Sequence, residues 1–402
     1  MAKILYFNPP AQGHIGPALP VAAELVRRGH QVTMYCTEDY RAAIERTGST
    51  YADYPTGVSG ADLTAAASDY GPLELILLEY SARLAPFCVA EIERESPDLV
   101  MFDAMVLWAW VATQVTSSPT AVTVATFAPG GKAETTRRDM LRFLGSVLRT
   151  SRARKKAKKR LHDAFPDVQL PAAPLPAKGD LNIRFVTPEF QLPGAAPGEE
   201  FALVGPPVVV PEAAGTQDWR PVRSDQPLVY VSLGTIYNTN LDFYRELFAA
   251  FDGYPAQFLL SAGRSTDLSS LGPVPENFVV RGFVPQLEVL DAADVFITHG
   301  GMNSVGEGQH FGVPTVVVPQ TMEQAINGRR VAQLGAGLVV GDRSPYRGVP
   351  ASSLRAALDQ ILADPSFERA AAGLAEASRR AGGATTAADR VEQLLAAVQP
   401  RG

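Results

Sequence analysis

Short apolar runs alternate along this chain with stretches whose apolar positions recur every three or four residues. In the first half, Ile4–Phe7, Gln31–Cys36, Leu99–Phe102 and Ala121–Val124 read as buried strands. Gly13–Arg28 reads as a loop and helix stopped by Gly29, and Asp39–Arg46 as a helix closed by Gly48. Leu73–Glu95 and Ala104–Val115 carry helical spacing as well. The pattern restarts with strand candidates Leu228–Leu233, Gln257–Ser261, Asn277–Val280, Val295–Thr298 and Thr315–Val318, and helical spacing runs from Ser352 to Val398. Prolines make residues 166–176 a loop, and residues 206–227 break the alternation as a linker would. Strands alternating with helices predict parallel sheets covered on both faces. The fold class is therefore α/β: two doubly wound units, residues 1–205 and 228–380, with a cleft between them. A C-terminal helix, 381–402, is free to pack back on the first unit. Ligands in such sheets sit off the C-terminal ends of the strands.

Composition narrows this picture. A chain of 402 residues exceeds one ordinary core, which supports two domains. A net charge of −6 argues against a nucleic-acid binder held by bulk electrostatics. Cys36 and Cys88 are the only cysteines, too few for a disulfide framework, so a reducing, cytoplasmic setting is expected. The opening MAKILYF lacks a signal-peptide core, and no stretch approaches a membrane span.

The most informative chemistry lies in residues 281–324. Val295–Thr298 leads into His299, two glycines, Asn303, Ser304 and then Glu307. A strand that feeds a helix start through glycines offers unpaired N–H groups and a positive dipole end to an anion. His299 adds a donor, and Glu307 could accept from ribose hydroxyls. Ser232–Thr235 supplies hydroxyls around Gly234, suited to a phosphate or to an ordinary turn. Glu323 and Gln324 could bind sugar hydroxyls or simply begin a helix. In the first half, NPPAQGHIGP sets His14 at the end of a rigid loop, as a general base or as a plain loop histidine. It is not a Gly-x-Gly-x-x-Gly loop, which disfavours dinucleotide binding there. Asp103 follows a strand and is either a helix N-cap or the orienting partner of His14. The helix Leu73–Leu84 and the segment Thr126–Gly131 offer apolar and small residues to a hydrophobic ligand, with Leu77, Tyr80 and Phe127, and Gln320, as the candidates for that side. The basic run 149–160 reads first as a solvated helix face; its apolar residues are too sparse for an anchor, so peripheral membrane contact is not expected. No Asp-x-Asp pair is present and the five histidines are dispersed, so no metal site is expected.

Together these segments resemble the nucleotide-sugar-dependent glycosyltransferases of the large small-molecule family, most closely its bacterial macrolide-type branch. The carriers are FVPQLEVL…THGGMNSVGEG…GVPTVVVPQTMEQ, with VYVSLGT, NPPAQGHIGP, LNIRFVTPEFQ and FALVGPP. The resemblance implies a GT-B fold, two facing Rossmann-like domains with the acceptor mainly on the first and the donor on the second. It implies His14 as general base and Asp103 as its orienting partner. His299, Gly301, Asn303, Ser304, Thr235, Gly234 and Ser232 would surround the diphosphate. Phe283, Val284 and Gln286 would lie toward the base and ribose, Glu307 on the ribose, and Glu323 and Gln324 on the hexose. Phe283 stands where many members carry Trp, which leaves uracil and thymine both open. The implied donor is UDP-glucose, with a dTDP-sugar as the alternative, and no resident cofactor. The implied partners are this nucleotide sugar and a hydrophobic acceptor such as a macrolide or phenolic, in a monomer or homodimer. The implied reaction is inverting. Competing readings are a transferase for a lipid-linked or sterol acceptor, a non-catalytic nucleotide-binding helper, and an epimerase.

Overall fold

The computed structural model describes residues 1–55, 57–66, 69–170, 177–195, 197–209, 219, 225–234, 241–263, 266–341 and 349–398. Two all-parallel sheets carry the chain. The first holds β1 (Lys3–Phe7), β2 (Gln31–Cys36), β3 (Thr50–Asp53), β4 (Leu99–Asp103), β5 (Thr120–Val124), β6 (Leu181–Arg184) and β7 (Phe201–Leu203), in the order β3-β2-β1-β4-β5-β6-β7. The second holds β8 (Leu228–Ser232), β9 (Gln257–Ser261), β10 (Phe278–Arg281), β11 (Val295–Thr298), β12 (Thr315–Val317) and β13 (Gly337–Val339), in the order β10-β9-β8-β11-β12-β13. Both orders reverse direction once, between β1 and β4 and between β8 and β11. Neighbouring helices diverge at such a point and leave a crevice off the strand ends.

The helices of the first half are α1 (Gln12–Arg27), α2 (Arg41–Glu45), α3 (Gly60–Ala66), α4 (Tyr70–Glu95), α5 (Leu107–Thr116) and α6 (Arg137–Ala164). Those of the second are α7 (Leu241–Phe251), α8 (Gln286–Leu290), α9 (Met302–Phe311), α10 (Met322–Gln333), α11 (Ala351–Ala363), α12 (Ser366–Ala381) and α13 (Gly383–Val398). Alternate residues of each central strand enter different cores. Leu5 and Phe7 face α4 and α5, whereas Ile4 and Tyr6 face α1 and α13. Burial on both faces is why the strands read as continuous apolar runs.

Packing and hydrogen bonds join the halves. The last helix, α13, returns to the first sheet, burying Ala387, Ala388, Val391 and Leu395 beside Ile4 and Tyr6. Arg28 ties it down through Asp389 and Glu392, both at 2.7 Å. A smaller core mixes Val186 and Phe190 with Met302, Val305 and Val331 from the other half. Arg330 adds hydrogen bonds to the carbonyls of Glu189 (2.8 Å) and Phe190 (3.1 Å).

Candidate functional site

Four loops meet at the two reversal points, those after β1, β4, β8 and β11. His14 corrects an expectation first: it lies in the opening turn of α1, not at the end of a loop. Its N–H and that of Ile15 both donate to the Ala11 carbonyl. The imidazole is therefore carried by a hydrogen-bonded turn, with Nδ1 2.9 Å from Asp103 Oδ2. Asp103 is buried at the end of β4, and α5 begins only at Leu107 without a side-chain cap. The other Asp103 oxygen accepts from the Met105 N–H at 2.9 Å. One carboxylate thus closes the turn and holds the histidine; Asp103 is not the N-cap of α5, since Val106 occupies that position, and the pairing with His14 is what the structure brings together. Burial alone pushes the His14 pKa down. The charge and hydrogen bond of Asp103, with Glu323 across the cleft, outweigh that and leave it above the ordinary value. An imidazole with Nδ1–H pointed at a carboxylate presents Nε2 as its basic atom.

The opposite wall is built differently. The His299 ring packs against two glycines; a Cβ on Gly234 would lie 2.6 Å from its Cε1, and one on Gly301 2.5 Å from its Nε2. Gly234 and Gly300 also hold positive φ, 76° and 85°. Burial lowers the His299 pKa to about 4, against a hydrogen bond with the Ser232 backbone that pulls the other way. At neutral pH it offers an N–H donor without a positive charge. Helix α9 follows Gly301, its N-cap, which makes no side-chain cap bond, so among the described residues its first N–H groups carry no side-chain hydrogen bond. Asn303 in this first turn donates from Nδ2 to the Gly13 carbonyl at 2.6 Å, which sets the two walls against each other.

Behind the cradle, Tyr230 Oη donates to Gln286 Oε1 at 3.0 Å, and Gln286 Nε2 donates to Glu307. Burial raises the Glu307 pKa to about 7, opposed by the Gln286 bond. Glu323 opens α10, with Asn327 donating to its Oε1 at 3.0 Å and to the Gly300 carbonyl at 2.9 Å. Crowding by protein raises the Glu323 pKa above the ordinary range, against the Asn327 bond and the charge of His14. Gln324 is buried, and its Oε1 accepts from the N–H groups of Gln320 (2.8 Å) and Thr321 (3.1 Å) in a capping box. Phe283 is 61% exposed and its neighbour Val284 is buried.

Two expectations change. Leu77 is fully buried in the first core and offers no surface to an acceptor. Tyr80 is nearly so, with its hydroxyl engaged by the Ser59 N–H and Asp62. Helical spacing shows that a face exists but not which face meets the core. Phe127 is half-buried against Phe190, with ring centroids 5.5 Å apart. Thr235 lies outside the described residues. Groups of three or more metal-ligating side chains are absent among the described residues, and none of the described helices is long and apolar enough to cross a membrane.

Residues 259–394 match the family described as Erythromycin biosynthesis protein CIII-like, C-terminal domain. The NDP-glycosyltransferase YjiC of Bacillus licheniformis is 32% identical over 98% of this chain and 98% of its own. The chain belongs to the nucleotide-sugar-dependent small-molecule glycosyltransferases. The demethyllactenocin mycarosyltransferase of Streptomyces fradiae is 31% identical, over 98% of this chain and 87% of its own. The crystal structure of the glycotransferase of kitacinnamycin superposes with a TM-score of 0.83 at 28% identity, covering 98% of this chain and 99% of that one. The fold of this glycosyltransferase is accordingly GT-B.

Asn327 and Tyr230 were missed as residues of this glycosyltransferase's cleft. The only signal for Asn327 was its spacing of four from Glu323, which puts both on one helix face. Tyr230 sits in a strand run, where its ring reads as core and its hydroxyl carries no pattern.

Proposed function

We propose that this glycosyltransferase moves glucose from UDP-glucose to a hydroxyl of a hydrophobic natural product, with inversion at the anomeric carbon. The observation that carries the reading is the His14–Asp103 pair, 2.9 Å apart, on the wall that Asn303 ties to the α9 cradle. The acceptor O–H gives its proton to His14 Nε2 as the oxygen bonds to the anomeric carbon. The bond from that carbon to the diphosphate oxygen breaks on the opposite face, and UDP leaves with the electron pair. Asp103 stabilises the imidazolium that results. General-base assistance of this kind contributes about 10²–10⁴-fold.

On the donor side, the uncapped N-terminus of α9 and the neutral His299 N–H meet the diphosphate, with Ser232, Gly234, Gly301, Asn303 and Ser304 around it and no metal required. Glu307, aligned by Gln286 and Tyr230, takes the ribose hydroxyls. Phe283 stacks on the uracil. Glu323, held by Asn327, binds the hexose. Gln324 does so through its amide nitrogen, because its oxygen is committed to the cap. Relatives named for natural products, the demethyllactenocin mycarosyltransferase and the glycotransferase of kitacinnamycin, support an acceptor of that class. The test is a mass-spectrometric screen of UDP-glucose, UDP-galactose and dTDP-glucose against macrolides, phenolics and sterols. The expected product is a β-glucoside formed from UDP-glucose. An α-linked product would overturn inversion, and turnover only with dTDP-glucose would overturn the donor assignment.

A further inference from the structure

We propose that α6 is a membrane-facing element whose outer face docks on a bilayer rich in anionic lipid. Helix α6 buries Asp139, Ser146, Ala157 and Leu161. At 100° per residue, Leu141 and Leu148 lie on the opposite side, and Arg152, Lys155 and Lys159 continue the same line. The exposures agree: Met140 is 51% exposed, Leu141 70%, Leu144 47% and Leu148 71%. Large apolar side chains turned straight to water over two helical turns mark an interaction surface.

The charge on this helix selects the occupant. Eleven of the chain's 36 Lys and Arg residues fall in α6, against the acidic Asp139 and Asp163, in a protein of net charge −6. Arg154 and Lys158 are consumed by the buried Glu74 of α4, at 3.0 and 2.9 Å. Arg149 reaches Asp69 at 3.7 Å and Lys159 pairs with Asp163 at 2.7 Å. Arg152, Lys155, Lys156 and Arg160 have no ion pair among the described residues. A helix about 40 Å long therefore presents an apolar end and a cationic end on one side. Lying flat on a bilayer, it would sink the leucines into the acyl boundary while the cations meet anionic headgroups. A second copy of the chain fits poorly, because two such faces repel. A polyanion would use the cations and leave the leucines wet.

The apolar end is also the end that touches the second half. Just before α6, Glu134 accepts from Gln333 of α10 at 2.8 Å, and its carbonyl accepts from Arg329. A bilayer seated there would deliver a lipid-dissolved acceptor to the mouth of the cleft. That last point rests on the proposed function; the docking face does not.

The test is flotation of the full chain with phosphatidylcholine vesicles, plain or with about one-third phosphatidylglycerol. The expected result is flotation only with the anionic vesicles, weakening as salt rises. The double variants Leu141→Glu/Leu148→Glu and Arg152→Glu/Lys155→Glu should each lower the bound fraction about tenfold. Both should keep full transfer to a water-soluble acceptor, which shows that they fold. Absence of flotation with anionic vesicles overturns the proposal, as does undiminished flotation of both doubles. A concentration-dependent dimer abolished by the leucine double, with no flotation, assigns the face to a second copy instead.

Discussion

The two walls of the cleft each present one histidine, and the structure treats them in opposite ways. His14 stands against a buried carboxylate and is held more basic than usual. His299 is packed against two glycines without a charged partner in its pKa balance, and burial takes it down to about 4. One imidazole is ready to take a proton and the other is a fixed neutral donor. Environments that push like groups apart in pKa assign them to different tasks. The difference comes from the neighbours: a carboxylate on the first wall, backbone and glycine on the second.

The largest effect that would break this contrast is His14→Ala. Transfer should fall about 10²–10⁴-fold while UDP binding by calorimetry stays unchanged. A variant of near wild-type rate would remove His14 from the chemistry. Asp103→Asn should cost somewhat less, about 10²–10³-fold, and move the pH profile. Because Asp103 holds the His14 pKa up, kcat/KM of the wild type should fall on the acid side through a pKa above the ordinary histidine value. The variant's acid limb should lie at lower pH. An unmoved limb would mean that another group titrates.

On the second wall the effects should appear in donor binding rather than in the chemical step. Gly301→Ala places a methyl where only 2.5 Å separates it from the His299 ring. Overpacking of that kind should raise the UDP-glucose KM about tenfold with a small change in kcat. The smallest effect belongs to Glu307. Its folded pKa of about 7 is raised by burial, so it is protonated below that pH and ionised above it. As the ionised form accepts ribose hydroxyls, the UDP-glucose KM should fall a few-fold as pH rises through about 7, and Glu307→Gln should flatten that dependence. A pH dependence that survives the substitution would point to a different donor-side group.

Much of the fold was legible because central strands buried on both faces leave continuous apolar runs; Gln31–Cys36, Gln257–Ser261 and Val295–Thr298 coincide with β2, β9 and β11. Strands β3, β6, β7 and β13 were not seen. β6 carries Asn182 and Arg184 in a fully buried stretch, which breaks the apolar signature. Arg184 survives there because its Nη1 donates to the carbonyls of Thr126 (3.1 Å) and Phe127 (2.6 Å) and its guanidinium lies 5.3 Å from the Phe201 ring centroid. Those partners lie far along the chain, so no local pattern announces them. The helix of the basic run was visible, but its outward leucines were not, since Leu141 and Leu148 precede the run and only packing on α4 shows which face is left open.

By itself the sequence determined the two parallel α/β units, the glycine-bearing strand ends and the membership of a glycosyltransferase family. All of these reside in local runs of residues. Only the tertiary structure decided which histidine is basic, which glutamine oxygen is committed to a cap, and which cations of α6 already have partners. Those properties depend on groups brought together across 89 residues for His14 and Asp103, and across 290 for Gly13 and Asn303. Charge, burial and hydrogen bonding act through space, so they take their values only once the chain has folded.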